Sequence, residues 1–252
     1  MLVLRSVLCA VGIMVFVSSP VATAAFIYGN YNGVSVIYQA VTEDSLTDPG
    51  VQLFGAPSVS QDALVFSPVS FGAFASGAGA SDFTDGTLAG TIVAKPNKVI
   101  EKVLFSESGD WTLAGGVGTA ATNAWVAASL FVRVLEIDGV GVNPIQLNTN
   151  FTFSPSDGTY NLVDDRGNAQ IWNGGVEVDV SAMIAAAGKT GKATKVTISL
   201  DNQLYAASEA GTIAHIKKKT VDGVTITAIV PEPMSLCLLA LGALAIARRR
   251  DA

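Results

Sequence analysis

The residues that could do chemistry are few and scattered. Gly116, Gly118 and Ala121 make a G-x-G-x-x-A spacing, with Glu136 and Asp138 about twenty positions further on. A dinucleotide fold uses such glycines to bring backbone against a pyrophosphate, with the later acid on the ribose. That site needs a helix after the glycines. Here Trp125-Val126 to Phe131-Val132-Arg133-Val134 is rich in aromatic and β-branched residues, so the segment predicts a glycine turn before a long strand. The single histidine, His215, sits in the run Ile213-Ala214-His215-Ile216-Lys217. With no nucleophile elbow around a serine, it is expected as a partly exposed strand residue rather than a general base. Asp82, Asp85, Asp157 and Asp164-Asp165-x-Gly167-Asn168 offer the hard oxygens that calcium takes. None has the spacing of a calcium loop, and Asp and Asn are common turn residues. Drawn as a carboxylate pair for glycoside cleavage, the same residues lack the one datum that decides the mechanism, their separation.

Three further features carry a chemical reading beside a plainer one. Trp111, Trp125 and Trp172 could stack on sugar rings if two shared one exposed concave face, whereas burial would make them core residues. Lys217-Lys218-Lys219 is expected as a solvated strand end that discourages edge pairing. Asn150-Phe151-Thr152 fits a glycosylation sequon and is assigned no function. No catalytic, cofactor-binding or metal-ligating residue is assigned, and the chain is expected not to be an enzyme.

The elements that must position these residues are mainly strands. Lys195 to Leu200 reads K-V-T-I-S-L, a clean alternation, and Val34, Val36 and Tyr38, then Val99, Val103 and Phe105, frame others. Thr212 to Lys218 and Val224 to Val230 flank Val221-Asp222-Gly223, which predicts a hairpin because glycine tolerates the positive φ of a tight turn. Further turns are expected at Asp48-Pro49-Gly50, Asp85-Gly86, Ser108-Gly109-Asp110, Asp138-Gly139, Ser156-Asp157-Gly158 and Asn173-Gly174-Gly175. One helix is expected over Val180 to Gly188, capped by Asp179 or Ser181 and closed by Gly188. The Gly-, Ala- and Ser-rich run Phe74 to Ser81 is expected as a mobile loop. Short strands and repeated Asx-Gly turns indicate an all-β chain built as a single jelly-roll-like β-sandwich with one short helix.

Composition sets the limits. The 252 residues carry 15 basic and 21 acidic side chains, for a net charge of -6, and 50% are hydrophobic. Such a chain has enough apolar surface to fold and lacks the electrostatic basis for binding nucleic acid. Part of its mean hydropathy of +0.46 sits at the two ends. Met1 to Ala24 has one charge, Arg5, then an apolar run, Ser18-Ser19-Pro20 and Ala22-Thr23-Ala24. These are the three parts of a secretory signal, cut after Ala24, and Pro20 argues against a buried helix there. At the other end, Pro231-Glu232-Pro233 precedes an uncharged apolar stretch to Ala247 and then Arg248-Arg249-Arg250. The 15 residues from Pro233 to Ala247 span about 22 Å as a helix at ~1.5 Å per residue. That is short against a hydrocarbon core of ~30 Å.

Proline triplet, short apolar helix and terminal arginines, in that order, resemble the sorting tail of PEP-CTERM proteins. The resemblance covers the last twenty or so residues, and the segment Asp251-Ala252 beyond the arginines departs from the commonest pattern. It implies export, a transient hold in the inner membrane with Arg248, Arg249 and Arg250 setting topology, and cleavage near Pro231, Glu232 and Pro233 by an exosortase. Release to the cell surface or extracellular matrix then follows. The expected organisation is a signal helix over 1–24 cut at Ala22 and Ala24, a sandwich over 25–229, and a tail with a membrane helix over 230–252. The expected partners are signal peptidase, exosortase, the inner membrane and an extracellular polysaccharide, with no nucleic acid and no cofactor. Residues 25–230 keep 11 basic and 19 acidic residues, a net charge of about -8, and no cysteine, since Cys9 and Cys237 lie in the two ends. The exported domain therefore has no disulfide.

Overall fold

A computed structural model describes residues 25–230. The signal residues Ala22 and Ala24 and the tail residues Pro231, Glu232, Pro233, Arg248, Arg249 and Arg250 lie outside them, as do both expected terminal helices. The strands are β1 (Phe26–Asn32), β2 (Val36–Asp44), β3 (Ser58–Ser60), β4 (Ala63–Phe66), β5 (Gly72–Ser76), β6 (Ala80–Ala94), β7 (Lys102–Gly115), β8 (Asn123–Ile137), β9 (Val140–Asn150), β10 (Thr152–Ser154), β11 (Thr159–Asn161), β12 (Gly167–Asp179), β13 (Ala193–Ser208), β14 (Thr212–Lys218) and β15 (Val224–Ile229), with one helix, α1 (Val180–Ala186). They form a two-sheet sandwich. Sheet A runs β1-β2-β6-β13-β8, with β11 and β9 sharing the far edge of β8. Sheet B runs β10-β12-β7, then β14 and β15, then β5 and β4, with β3 outermost.

Alternation builds the core. Val196, Ile198, Leu200 and Leu204 of β13 and Val126, Leu130, Val132 and Val134 of β8 point inward and are buried, and β7 meets them with Val103, Phe105, Trp111 and Leu113. The helix matches its sequence signals: Asp179 Oδ1 accepts the Ala182 N–H at 2.8 Å, and Gly188 follows with φ +67°. Val180, Met183 and Ile184, at helical spacing, are its buried stripe.

The expected Asp222-Gly223 hairpin is absent. β14 and β15 do not pair with each other. Both run along the same side of β7, β14 opposite Gly115 to Gly109 and β15 opposite Glu107 to Lys102. The ladder is continuous across the break, because Lys219 N–H donates to Ser108 O at 2.8 Å and Gly223 O accepts from Ser108 N–H at 3.0 Å. Residues 219–223 are thus an outward excursion in one long strand, with Asp222 at φ +51°. Beside it, β4 and β5 form a second split strand along β15 and β14.

Three other expected turns lie inside strands: Asp85-Gly86 in β6, Ser108-Gly109-Asp110 in β7 and Asn173-Gly174-Gly175 in β12. Gly86, Gly109 and Gly174 each make room for an aromatic ring, while Gly175 lies against the Phe105 backbone. A Cβ on Gly86 would lie 2.8 Å from Phe71 Cε2, one on Gly109 would meet the Trp172 ring, and one on Gly174 would meet the Phe153 ring. The run Phe74 to Ser81 also differs from the expected loop. It is the end of β5, a turn at Gly77-Ala78-Gly79 and the start of β6, arching from sheet B to sheet A. Gly109→Ala should cost about 1–3 kcal/mol through overpacking. Gly116→Ala, with nothing within 4 Å of its Cβ, should stay within about 0.5 kcal/mol of wild type. Thermal unfolding of the pair checks both.

The core contains a buried ion pair besides the buried Glu43, whose carboxylate accepts from the Phe54 and Gly55 N–H groups. Lys218, expected in solvent, is buried and pairs with buried Glu107 of β7, while Lys217 faces outward 3.9 Å from Asp110 and Lys219 is exposed. The period-two alternation that exposes Lys217 turns Lys218 inward, between the sheets.

Candidate functional site

The outer face of sheet A gathers the polar and aromatic side chains suited to binding. Pairing sets three rows across β6, β13 and β8: Phe83, Tyr205 and Trp125; Asp85, Gln203 and Ala127; Thr87, Asp201 and Ser129. Their inward neighbours Thr84, Leu88, Asn202, Leu204, Val126 and Ala128 are buried, which fixes these residues on the opposite face. Trp125 and Tyr205 stack with ring centroids 5.4 Å apart and an interplanar angle of 22°, and Phe83 leans on Trp125 at 5.9 Å. Beside the aromatic row lies a groove of about 380 Å³ lined by Ala127, Ser129, Asn150, Asp157, Asp201 and Gln203.

The groove has a local cause. β8 changes partner along its edge, pairing with β11 at Asn123 to Trp125 and with β9 from Ser129 onward. Between them no strand covers Val126 to Ala128, where Phe151 N–H donates to Ala128 O at 2.9 Å. The short side chain of Ala127 leaves the floor low.

Two carboxylates share this face. Burial, and then the charge of Asp85, push the Asp201 carboxyl above the usual carboxylate range. Asp85 Oδ1 accepts the Leu46 N–H at 3.1 Å, which ties it to the loop after β2. A folded-state pKa raised above the unfolded value means that ionised Asp201 opposes folding at neutral pH. The opposition disappears as pH falls through the folded pKa. Asp201→Asn should therefore raise Tm slightly at pH 7, with the gain shrinking to nothing in acid, a profile that thermal melts across pH will show.

The other sequence candidates do not converge here. Asp82 Oδ2 accepts the Phe74 N–H at 2.8 Å, Asp164 Oδ2 accepts from Asn161 Nδ2 at 2.9 Å, and Asp165 O accepts from Trp111 Nε1 at 3.1 Å. These are turn and strand contacts, and among the described residues no three His, Cys, Asp or Glu side chains are grouped to hold a metal ion. Gly116 and Gly118 precede strand β8 rather than a helix. The Gly115 and Gly116 carbonyls accept from the Arg166 guanidinium at 2.8 and 2.9 Å. His215 lies on sheet B with its ring 5.9 Å from Phe74, where burial and then Lys217 push its pKa down. Trp111 and Trp172 are core residues, so the expected pair of exposed tryptophans is not there and Trp125 is the one tryptophan on the face, with Tyr205 as its stacking partner. Tyr205, Phe83 and Asp201 went unmarked in the sequence, although the K-V-T-I-S-L alternation continues unbroken through Asp201, Gln203 and Tyr205.

The chemistry of the face is local, whereas the destination of the protein is written beyond Val230. The PEP-CTERM protein-sorting motif matches residues 230–250. The chain carries this sorting motif at its C-terminal end. The motif implies an exported protein sorted by an exosortase. Among the described residues, no helix is long and apolar enough to cross a membrane. No curated protein matches its sequence. Among solved structures, TmCBM61 in complex with beta-1,4-galactotriose aligns at 10% identity over 60% of this chain and 70% of that one, with a TM-score of 0.22. A family 12 xyloglucanase from Bacillus licheniformis aligns at 6% identity over 82% and 97% of the two chains, at 0.19. The infectious bursal disease virus Gx strain aligns at 9% over 71% and 46%, at 0.21. Likenesses this weak say nothing of this chain's ligand.

Proposed function

We propose that the chain is a non-enzymatic component of the cell surface or exopolysaccharide matrix that holds a neutral polysaccharide on the outer face of sheet A. Its organisation would be a signal over 1–24, cut once after Ala24 with Ala22 and Ala24 as the recognised pair, a jelly-roll-like sandwich over 25–229, and a tail over 230–252. In the inner membrane that tail, oriented by Arg248, Arg249 and Arg250, would present Pro231, Glu232 and Pro233 to the exosortase.

The observation that carries the ligand class is the Trp125–Tyr205 stack with Phe83, flanked by Asp85, Asp201 and Gln203. The apolar C–H face of a pyranose ring packs on aromatic faces, while its hydroxyls need acceptors and donors at the rim. The three rows carry two carboxylates and no basic side chain; the nearest cations along these strands, Arg133 and Lys195, lie further down them. Together with the acidic mature domain this disfavours an anionic polymer. Affinity electrophoresis of the secreted protein tests the reading: retardation in gels of at least one neutral polysaccharide supports it. Equal mobility in every neutral gel, or retardation only by anionic polymers, rejects it.

A second reading rests on one observation, the placing of Asp85 and Asp201 on one face with burial and the charge of Asp85 holding the Asp201 carboxyl above the usual carboxylate range, since a pair of carboxyl groups of unlike acidity is how glycosides are cleaved. Release of reducing ends that is lost in Asp201→Asn would favour the enzyme; tight binding without release favours the module.

A further inference from the structure

Three polar side chains converge in the core where packing alone requires none. Lys218 of β14 and Glu107 of β7, both in sheet B, have 0% of their side chains exposed, and Asn202 of β13, in sheet A, is equally buried. Glu107 Oε2 accepts from Lys218 Nζ and, at 2.5 Å, from Asn202 Nδ2. Lys218 Nζ lies 4.9 Å from the Phe71 ring centre and 5.3 Å from that of Trp172. Glu107 Oε1 and Asn202 Oδ1 have no hydrogen-bond partner.

The enclosure is built by glycines. Gly86 faces Asn202 across the β6–β13 ladder and makes room for Phe71; Gly109 faces Lys218 across the β7–β14 ladder and makes room for Trp172. A buried ion pair with unsatisfied atoms is a poor source of stability compared with an apolar packing of the same volume. A nitrogen nucleophile, a carboxamide carbon and a carboxyl group that contacts both are, in contrast, the parts of an amide-forming centre.

We propose that Lys218 and Asn202 become joined by an intramolecular isopeptide bond between the two sheets, formed by the fold itself with Glu107 as the proton carrier. The Lys218 ammonium first passes a proton to the Glu107 carboxylate, leaving a neutral amine and a neutral acid. Burial drives this transfer by pushing the Lys218 pKa down, against the pull of Glu107. The Nζ lone pair then adds to Asn202 Cγ, and the carbonyl electron pair moves onto Oδ1. Glu107 takes a proton from Nζ and delivers one to Nδ2. As the carbonyl re-forms, the Cγ–Nδ2 bond breaks and ammonia leaves. One amine and one primary amide become one secondary amide and one ammonia, with Glu107 left protonated. No oxidant, cofactor or second protein is needed. The product replaces two buried charges by a neutral link and ties β13 of sheet A to β14 of sheet B in a domain that has no cysteine.

Intact mass spectrometry of the purified wild-type protein decides the matter. The expected mass is one ammonia below that of the processed sequence. A tryptic digest should hold the Val196–Lys217 peptide covalently attached to Lys218 through Asn202. Glu107→Gln and Lys218→Met should return to their full sequence masses and lose the branched peptide. A wild-type protein at full mass, with the Asn202 and Lys218 peptides released separately, overturns the proposal whether or not the variants fold. So does an ammonia deficit that maps elsewhere, such as a succinimide at Asn173-Gly174.

Discussion

Relative to a wild-type domain in which Lys218 and Asn202 are still unjoined, Glu107→Ala is expected to destabilise the fold by about 3–5 kcal/mol, the usual cost of stripping one partner from a buried charge pair. In a domain of this size that lowers Tm by about 10 °C. The reason is specific to the cluster. Lys218 would remain enclosed by Phe71 and Trp172 with no counter-charge, and Asn202 Nδ2 would lose its acceptor. Removing both charges should hurt less than removing one, so Glu107→Gln with Lys218→Met should be more stable than Glu107→Ala alone. Urea unfolding of the three proteins measures the order. Glu107→Ala within about 1 kcal/mol of wild type, the range of exposed ion pairs, would mean that the cluster is solvated and that the core described above is wrong.

Trp125→Ala is expected to weaken binding of a neutral polysaccharide at least tenfold, about 1.4 kcal/mol or more, because the indole is the largest ring of the aromatic row and anchors of this kind dominate binding energies. Tyr205→Ala should act in the same direction, since its ring is the other half of the stack. Both residues are half-buried on an outer face, so Tm should change far less than in Trp111→Ala or Trp172→Ala, which open the core and cost about 3–5 kcal/mol. The comparison separates loss of a contact from loss of the fold. Affinity gels report the first and melting curves the second. Unchanged affinity in both Trp125→Ala and Tyr205→Ala would remove this face from consideration.

How far the sequence could be read depends on the kind of signal. Period-two alternation and the Asp179 to Gly188 cap signals are local, and both survive in β13 and α1. Glycine is ambiguous without its partners. Gly139 follows Asp138 in the tight β8–β9 turn with φ +78°, yet Gly86, Gly109 and Gly174 sit in strand interiors beneath aromatic rings supplied from distant parts of the chain. The same limitation hid the split strand. An Asp-Gly pair marks a reversal only if the flanking runs pair with each other, and β7 claims both instead. Lys218 shows a third case: three lysines read as solvent-facing by composition, while alternation necessarily turns one inward and Glu107, far away in sequence, accepts it. For the outer face, the sequence offered Trp125 by residue type. Its neighbours Tyr205 and Phe83 needed the strand order, because they come from β13 and β6. A sorting motif is read as a short linear segment, so residues 230–250 are legible without any fold.

The proposed function places the processed sandwich outside the cell, holding neutral polysaccharide there. The most direct measurement is the intact mass of the protein that a neutral oligosaccharide elutes from the native extracellular polysaccharide fraction. The expected species begins near Ala25 and ends near Pro231, and it is absent from the eluate when Trp125 is replaced by alanine. A protein that keeps both ends, stays inside the cell, or is recovered outside without any attachment to neutral polysaccharide would contradict the proposed function.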